Sequence, residues 1–210
     1  MKQKIFPSIM AKSQKELNID FNKLNGIVKE LHLDVVDGKF ANNKTFQFPF
    51  KLSSNFQYNV HLMVKDQKKW VDMLIKKKNV KLILLHPEVL RGSDLVNLIN
   101  KIKLTGKNVG LALKSETKIK DIKDFLKLVD FVLILTVHPG FYGSKFLSSS
   151  LKKIKLVKLT NPKIKIIIDG GINPKTIVKA KGGDYFVSGS YVTKSDNPKE
   201  RIKSLLSSLR

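Results

Sequence analysis

The chain has no cysteine among its 210 residues. Disulfides, zinc–thiolate sites and thiol nucleophiles are therefore excluded, and any bound metal must be held by His, Asp or Glu. Long apolar runs are absent too: none approaches the roughly 20 residues that span a membrane. The opening stretch, MKQKIFPSIM, is basic but carries neither an extended apolar segment nor a small-residue cleavage site. No signal peptide and no membrane partner are expected, and the cytoplasm is the expected compartment. Acidic residues are few, 17 Asp and Glu against 40 Lys and Arg, for a formal net charge of +23. Arginine itself occurs only at positions 91, 201 and 210. Nucleic-acid recognition draws on the forked guanidinium, and stacking platforms need interleaved aromatics. Here lysines are spread over nearly every segment, as on solvated helix faces, so no nucleic-acid partner is expected. Their field would still attract a phosphorylated small molecule.

Short apolar runs are plentiful. Eight read as strands: Lys4–Ile9, Leu31–Val35, Tyr58–Met63, Lys81–Leu85, Val109–Leu113, Phe131–Thr136, Ile164–Ile168 and Tyr185–Val187. They lack polar alternation, which implies a sheet covered on both faces and hence parallel. Between them, apolar residues recur at helical spacing: Trp70 to Ile75, Leu95 to Ile102, Ile119 to Leu126, Leu151 to Val157 and Ile202 to Leu206. Asn22–Asn25 and Ala41–Asn55 are the least regular stretches, the second read as a long loop over the mouth. Eight βα units in this length fit an α/β fold of the (β/α)8 TIM barrel type, one domain over residues 1–210. A doubly wound open sheet is the alternative, but it gives no reason for polar residues at separate strand ends to meet.

Such residues exist. His32 and Asp34 lie in ELHLDVVDG, His61 in YNVHLMV and Asp169 in KIIIDGG. Residues two apart on a strand share a face, so His32 and Asp34 project together, and barrel closure would bring His61 and Asp169 to the same mouth. Two imidazoles and two carboxylates suit one divalent metal. A metal on a ketone oxygen and the adjacent hydroxyl acidifies the carbon between them and stabilises the enediolate. A carboxylate on each face could then remove and return a proton, inverting that carbon. Three glycine-rich turns follow late strands: His138 to Ser144, Gly170 to Asn173, and Ser188 to Ser190. They suggest a grip for phosphate. His86, before Pro87 and Glu88, reads as a hydrogen-bonding residue that orients a neighbour. Asp37 reads as a turn or outer partner, and Trp70 as core.

Together these motifs resemble the ribulose-phosphate 3-epimerase family. The match runs in order from Phe6-Pro7-Ser8-Ile9 through His32-Leu33-Asp34-Val35-Val36-Asp37-Gly38 and Val60-His61-Leu62-Met63-Val64. It continues with Val137-His138-Pro139-Gly140-Phe141 to Asp169-Gly170-Gly171-Ile172-Asn173 and Ser188-Gly189-Ser190. The resemblance implies that His32, Asp34, His61 and Asp169 bind one divalent metal, usually zinc, with iron, manganese or cobalt as replacements. It makes Asp34 and Asp169 the acid–base pair. It places the sugar phosphate against Ser8, His61 and Met63, with its phosphate end at Gly140, Phe141, Tyr142, Gly143, Gly170, Gly171, Gly189 and Ser190. The implied reaction is metal-dependent epimerisation at C3 of a ketopentose phosphate, D-ribulose 5-phosphate to D-xylulose 5-phosphate, in a homo-oligomer. The sequence departs from the family's usual pattern at Val36 and Leu135, where Met is usual, and at Tyr142 and Ser144 in the phosphate loop. Those changes make another ketose phosphate, a hexulose or heptulose phosphate, the alternative substrate.

Overall fold

A computed structural model describes residues 4–141 and 143–210; Tyr142, expected at the phosphate, lies outside the described residues. The strands are β1 (Ile5–Ile9), β2 (Glu30–Asp37), β3 (Lys44–Thr45), β4 (Gln57–Met63), β5 (Val80–Leu85), β6 (Asn108–Leu113), β7 (Phe131–Leu135), β8 (Lys165–Asp169) and β9 (Tyr185–Ser188). Their order is β1-β9-β8-β7-β6-β5-β4-β2, all parallel, and β1 also pairs with β2, so eight strands close a ring. Each expected run forms a strand with its ends shifted by a residue or two. The two-residue β3 falls in the irregular 41–55 stretch and pairs antiparallel with the end of β2.

The helices outside the ring are α1 (Gln14–Leu24), α2 (Gln67–Leu74), α3 (Gly92–Lys103), α4 (Lys152–Thr160), α5 (Pro174–Ile177) and α6 (Pro198–Ser208). Short polar side chains start several of them: Ser13 accepts the Glu16 N–H, Asp66 the Lys69 N–H and Asn197 the Glu200 N–H. Two expectations need correction. Asn22–Asn25 is not wholly irregular, because α1 runs to Leu24. Its buried stripe of Leu17, Asp20, Phe21 and Leu24 contains a carboxylate, while Ile19 faces solvent, so hydropathy alone hides the helix. The second is Ile119 to Leu126, which forms two 3₁₀ turns, Ile119–Asp121 and Phe125–Lys127, and no α-helix. Ile119, Ile122, Phe125 and Leu128 recur every three residues, the 3₁₀ period. Their N–H groups bond accordingly, Ile122 to Ile119 O, Phe125 to Ile122 O and Leu128 to Phe125 O.

The ring interior is filled by its own apolar cluster, including Leu82, Leu84, Leu133 and Ile167. Phe6 and Tyr185 stack at 5.2 Å near the N-terminal ends of the strands and plug that end. Gly110 leaves room for this packing: a Cβ there would lie 2.7 Å from Leu84 Cδ2 and 2.8 Å from the Phe131 carbonyl oxygen. A larger cluster sits between ring and helices. With that floor filled, the cavity beside the polar cluster opens at the C-terminal end of the barrel. The ring's seam joins β1 to β9, with Pro7 opposite Ser188, and Thr193 Oγ1 donates to the Ser8 carbonyl at 2.8 Å.

Candidate active site at the barrel mouth

Strand register assembles the polar cluster. Ser8 pairs with His32 across β1 and β2, and Asp34 pairs with His61 across β2 and β4. Asp169 is the last residue of β8, opposite Leu135 and Val187. His32 and His61 are fully buried, and Asp34 and Asp169 are 6% and 8% exposed. His61 Nδ1 lies 3.2 Å from Asp34 Oδ1 and 3.4 Å from Asp169 Oδ2, and His32 Nε2 lies 3.3 Å from Asp34 Oδ1. One ligand atom from each residue falls within 4.8 Å of all the others. Four ligands about 2.0–2.1 Å from a tetrahedral zinc would be spaced roughly 3.3 Å apart, so the donor set could close on such an ion with small side-chain shifts. His32 Nε2 adds a second sign: it is buried, close to Asp34, and makes no hydrogen bond. A buried imidazole nitrogen without a partner is costly unless something else is to bind it.

Charge in the cluster is mutually sustained. Burial works against ionised Asp34, but the His32 imidazole beside it, then His61, hold its carboxyl well below the usual range. Burial likewise opposes charge on His61, yet its contacts with Asp169 and Asp34 push it up to about 9. On its far side, His61 Nε2 meets His86 Nε2 at 2.9 Å, and His86 Nδ1 meets Glu88 Oε2 at 2.9 Å. His86 thus makes the hydrogen-bond contact with a neighbour that its position suggested. Burial pushes its ring down to about 4. Glu88, despite its own burial, is drawn down to about 2 by the His86 bond and further donors.

The strand carrying His32 and Asp34 is braced from outside. Thr45 Oγ1 donates to the Asp34 carbonyl at 2.5 Å and accepts the Val36 N–H at 2.9 Å. Asp37 is a turn residue: its carboxylate accepts the N–H groups of Lys39, Phe40 and Lys65. Trp70 packs half-buried against the core, as expected.

A narrow cavity of about 50 Å³ opens in front of the cluster. Asp34 and Asp169 line it together with Ser8, Met63, Gly140, Phe141, Gly143, Gly170, Gly171, Gly189 and Ser190. All the described residues expected at the sugar phosphate are therefore in its wall except His61, whose ring is fully buried behind the carboxylates. Val36 is also fully buried and outside the wall, whereas Leu135 and Ser144 belong to it. Two glycines are dictated by backbone shape. Gly170 (φ 110°) and Gly171 (φ 65°) take left-handed conformations, and a Cβ on Gly170 would collide with Val137. Sequence reading missed Val137, Pro139, Ile172 and Val187 in the wall. Register could have found Val187, which sits opposite Asp169; Pro139 and Ile172 lie inside the glycine-rich turns read as a phosphate grip, and Val137 just before the first.

A parallel barrel with a donor set that could hold a divalent metal, beside a glycine-walled cavity, has the architecture of a barrel enzyme. The chain's relatives are consistent with that class. Residues 4–193 match the model of the ribulose-phosphate 3 epimerase family, and the chain belongs to that family of isomerases. It is similar to ribulose-phosphate 3-epimerase of Helicobacter pylori strain J99, at 33% identity over 96% of each chain. It is also similar to the cytoplasmic isoform from rice, at 29% identity over 98% of this chain and 94% of that one. Among solved structures, 3-keto-L-gulonate-6-phosphate decarboxylase from Vibrio cholerae shares the fold with a TM-score of 0.72 at 10% identity, covering 100% of this chain and 98% of that one. No helix among the described residues is long and apolar enough to cross a membrane.

Proposed function

We propose that the chain epimerises C3 of a ketopentose phosphate, interconverting D-ribulose 5-phosphate and D-xylulose 5-phosphate. The observation that carries this reading is that Asp34 and Asp169 both reach the cavity, from strands separated in the ring by β1 and β9. A sugar carbon between them meets one carboxylate on each face. Asp34, held ionised, takes the C3 proton from one epimer, and Asp169 supplies a proton to the opposite face; the roles reverse for the other epimer. The residues that would hold a divalent cation are His32, His61, Asp34 and Asp169, with zinc first by family resemblance and iron, manganese or cobalt as substitutes. When bound, the cation polarises the substrate's ketone and hydroxyl oxygens, worth several kcal/mol of charge stabilisation.

The remaining wall residues bind and orient. Gly140, Gly143, Gly170, Gly171, Gly189 and Ser190 bring backbone close to the phosphate end, and Ser8 and Met63 bound the sugar. The buried floor excludes water from the reacting carbon. Scattered lysines supply attraction for an anionic sugar rather than a nucleic-acid track, and the reading includes a cytoplasmic homo-oligomer without a membrane partner. A second reading, a hexulose or heptulose phosphate as substrate, is favoured by Leu135 in the wall. A neighbouring cleft of about 370 Å³ also favours it, since it shares Gly143, Ser144, Gly171, Ile172 and Ser190 with the first. The test is ribulose 5-phosphate with metal-loaded protein in deuterated water. Deuterium at C3 and formation of xylulose 5-phosphate are expected, and absence of both overturns the pentose reading. Comparing kcat/KM over a short panel of ketose phosphates decides between the two substrates.

A further inference from the structure

The hydrogen-bond chain behind His61 fixes a proton on its Nε2 and leaves Nδ1 as the nitrogen that can be bared. Glu88 is surrounded by donors: its Oε1 accepts the Lys114 N–H at 3.1 Å and the Thr117 hydroxyl, and its Oε2 faces His86 Nδ1 at 2.9 Å. A carboxylate can only accept, so His86 carries its proton on Nδ1. The Nε2 of a neutral His86 is then a bare acceptor. A single proton fits in the 2.9 Å between the two Nε2 atoms, and it must belong to His61. That leaves His61 Nδ1 as the nitrogen facing Asp34 Oδ1 and Asp169 Oδ2. Without an ion, a proton on Nδ1 bridges it to the two carboxylates, and a divalent cation would take that proton's place.

The geometry points to His86 and Glu88 as positioning residues that keep His61 Nδ1 free for a divalent cation. The inference rests on the proposed metal-dependent reading. The His86 ring is also held in place mechanically. Gln67 accepts the His86 N–H at 3.0 Å and donates to its carbonyl at 2.9 Å, and the Phe40 ring covers it at 4.4 Å. His86 is fully buried and outside the cavity wall, so it acts through His61 and not on a substrate. An imidazole ligand whose other nitrogen is tied to a carboxylate is a general device for fixing tautomer and orientation, and its loss typically weakens metal binding about 10- to 100-fold.

Glu88→Gln reverses the polarity with little change of shape. Its carbonyl can keep the Lys114 and Thr117 donors, which turns the amide NH₂ toward His86 Nδ1. His86 then protonates on Nε2 and donates to His61, whose own proton moves to Nδ1 and blocks the cation. The test titrates Zn²⁺ into metal-stripped protein against a chromophoric chelator. Glu88→Gln and His86→Leu are each expected to weaken Zn²⁺ binding about tenfold or more. His86→Gln, whose carbonyl can accept from His61 Nε2, should stay within about threefold of wild type. Ile102→Val, a buried change on α3, lowers thermal stability without altering Zn²⁺ affinity and so separates the effect from general loosening. Should Glu88→Gln not fold, the His86→Leu and His86→Gln pair decides alone. Wild-type Zn²⁺ affinity in His86→Leu overturns this inference while leaving the proposed function standing. A wild-type protein that binds no divalent ion overturns both.

Discussion

Asp169→Asn is the most incisive perturbation of the cluster. Asparagine keeps the shape and an oxygen that can face a cation, but it cannot carry a proton between solvent and substrate. Asp169 Oδ2 lies 3.4 Å from His61 Nδ1 and 3.9 Å from His32 Nε2, and the side chain also reaches the cavity. Two losses are therefore superimposed. Weaker ion binding should disappear when excess metal is supplied. Loss of acid–base transfer should persist and lower kcat by about 10²–10⁴, or roughly 2.7–5.4 kcal/mol. The assay follows each pure epimer in deuterated water by NMR at saturating metal. Asp169→Asn should abolish net epimerisation yet still exchange the C3 proton of one epimer, because Asp34 is intact. Asp34→Asn should spare exchange in the other epimer. If kcat stays within about tenfold of wild type, or both variants spare the same epimer, the two-faced proton transfer is refuted.

Three further outcomes follow from packing and charge. Gly110→Ala pushes a methyl against Leu84 and the Phe131 carbonyl. Overpacking of about 1–3 kcal/mol outweighs the roughly 0.4–1 kcal/mol gained by stiffening the unfolded chain, so calorimetry should find Tm lower by about 2–8 °C with kcat unchanged. Metal-stripped protein should be most stable near pH 6.5 in denaturant titrations. Below that, the unfolded chain protonates His86 at its ordinary 6.5 and Glu88 at 4.5, while the folded groups wait until about 4 and about 2, so stability falls with pH. The loss is on the order of 3 kcal/mol, since the two share one hydrogen bond. Above 6.5, the folded state still holds the His61 proton up to about 9, so stability falls again as pH rises. Chelation of metal-loaded enzyme should lower Tm by several degrees, because an ion present at about 100 times its Kd contributes about 2.7 kcal/mol.

Much of this was legible in the residues. Parallel, doubly covered strands announce themselves by unbroken runs such as Phe131–Leu135, and His32 and Asp34 stand out because a buried strand face has little other use for them. Where the pattern misled, the cause was local. Asp20 interrupts the buried stripe of α1, and the every-third spacing from Ile119 to Leu128 mimics an α-helix over a short window. What no linear pattern contains is the set of side-chain contacts inside the closed ring. The contact of His61 with His86 depends on the angle at which neighbouring strands tilt their side chains inward. The cavity wall from Val137, Pro139 and Ile172 depends on loops whose course only the closed barrel defines.

The seam between β1 and β9 has a consequence for how the molecule comes into being. Ser8 stands near the start of the chain, Gly189 and Ser190 near its end, and all three line one cavity. A nascent polypeptide that has emitted seven of the eight ring strands, through β8, carries all four residues of the His and Asp cluster but no finished pocket. Competence to bind sugar phosphate therefore arrives late and all at once, when Tyr185–Ser188 docks between its two neighbours. Truncations ahead of that strand should be inert rather than partly active, whereas a permuted barrel with α6 linked to β1 and new ends opened in an outer loop should keep the whole site.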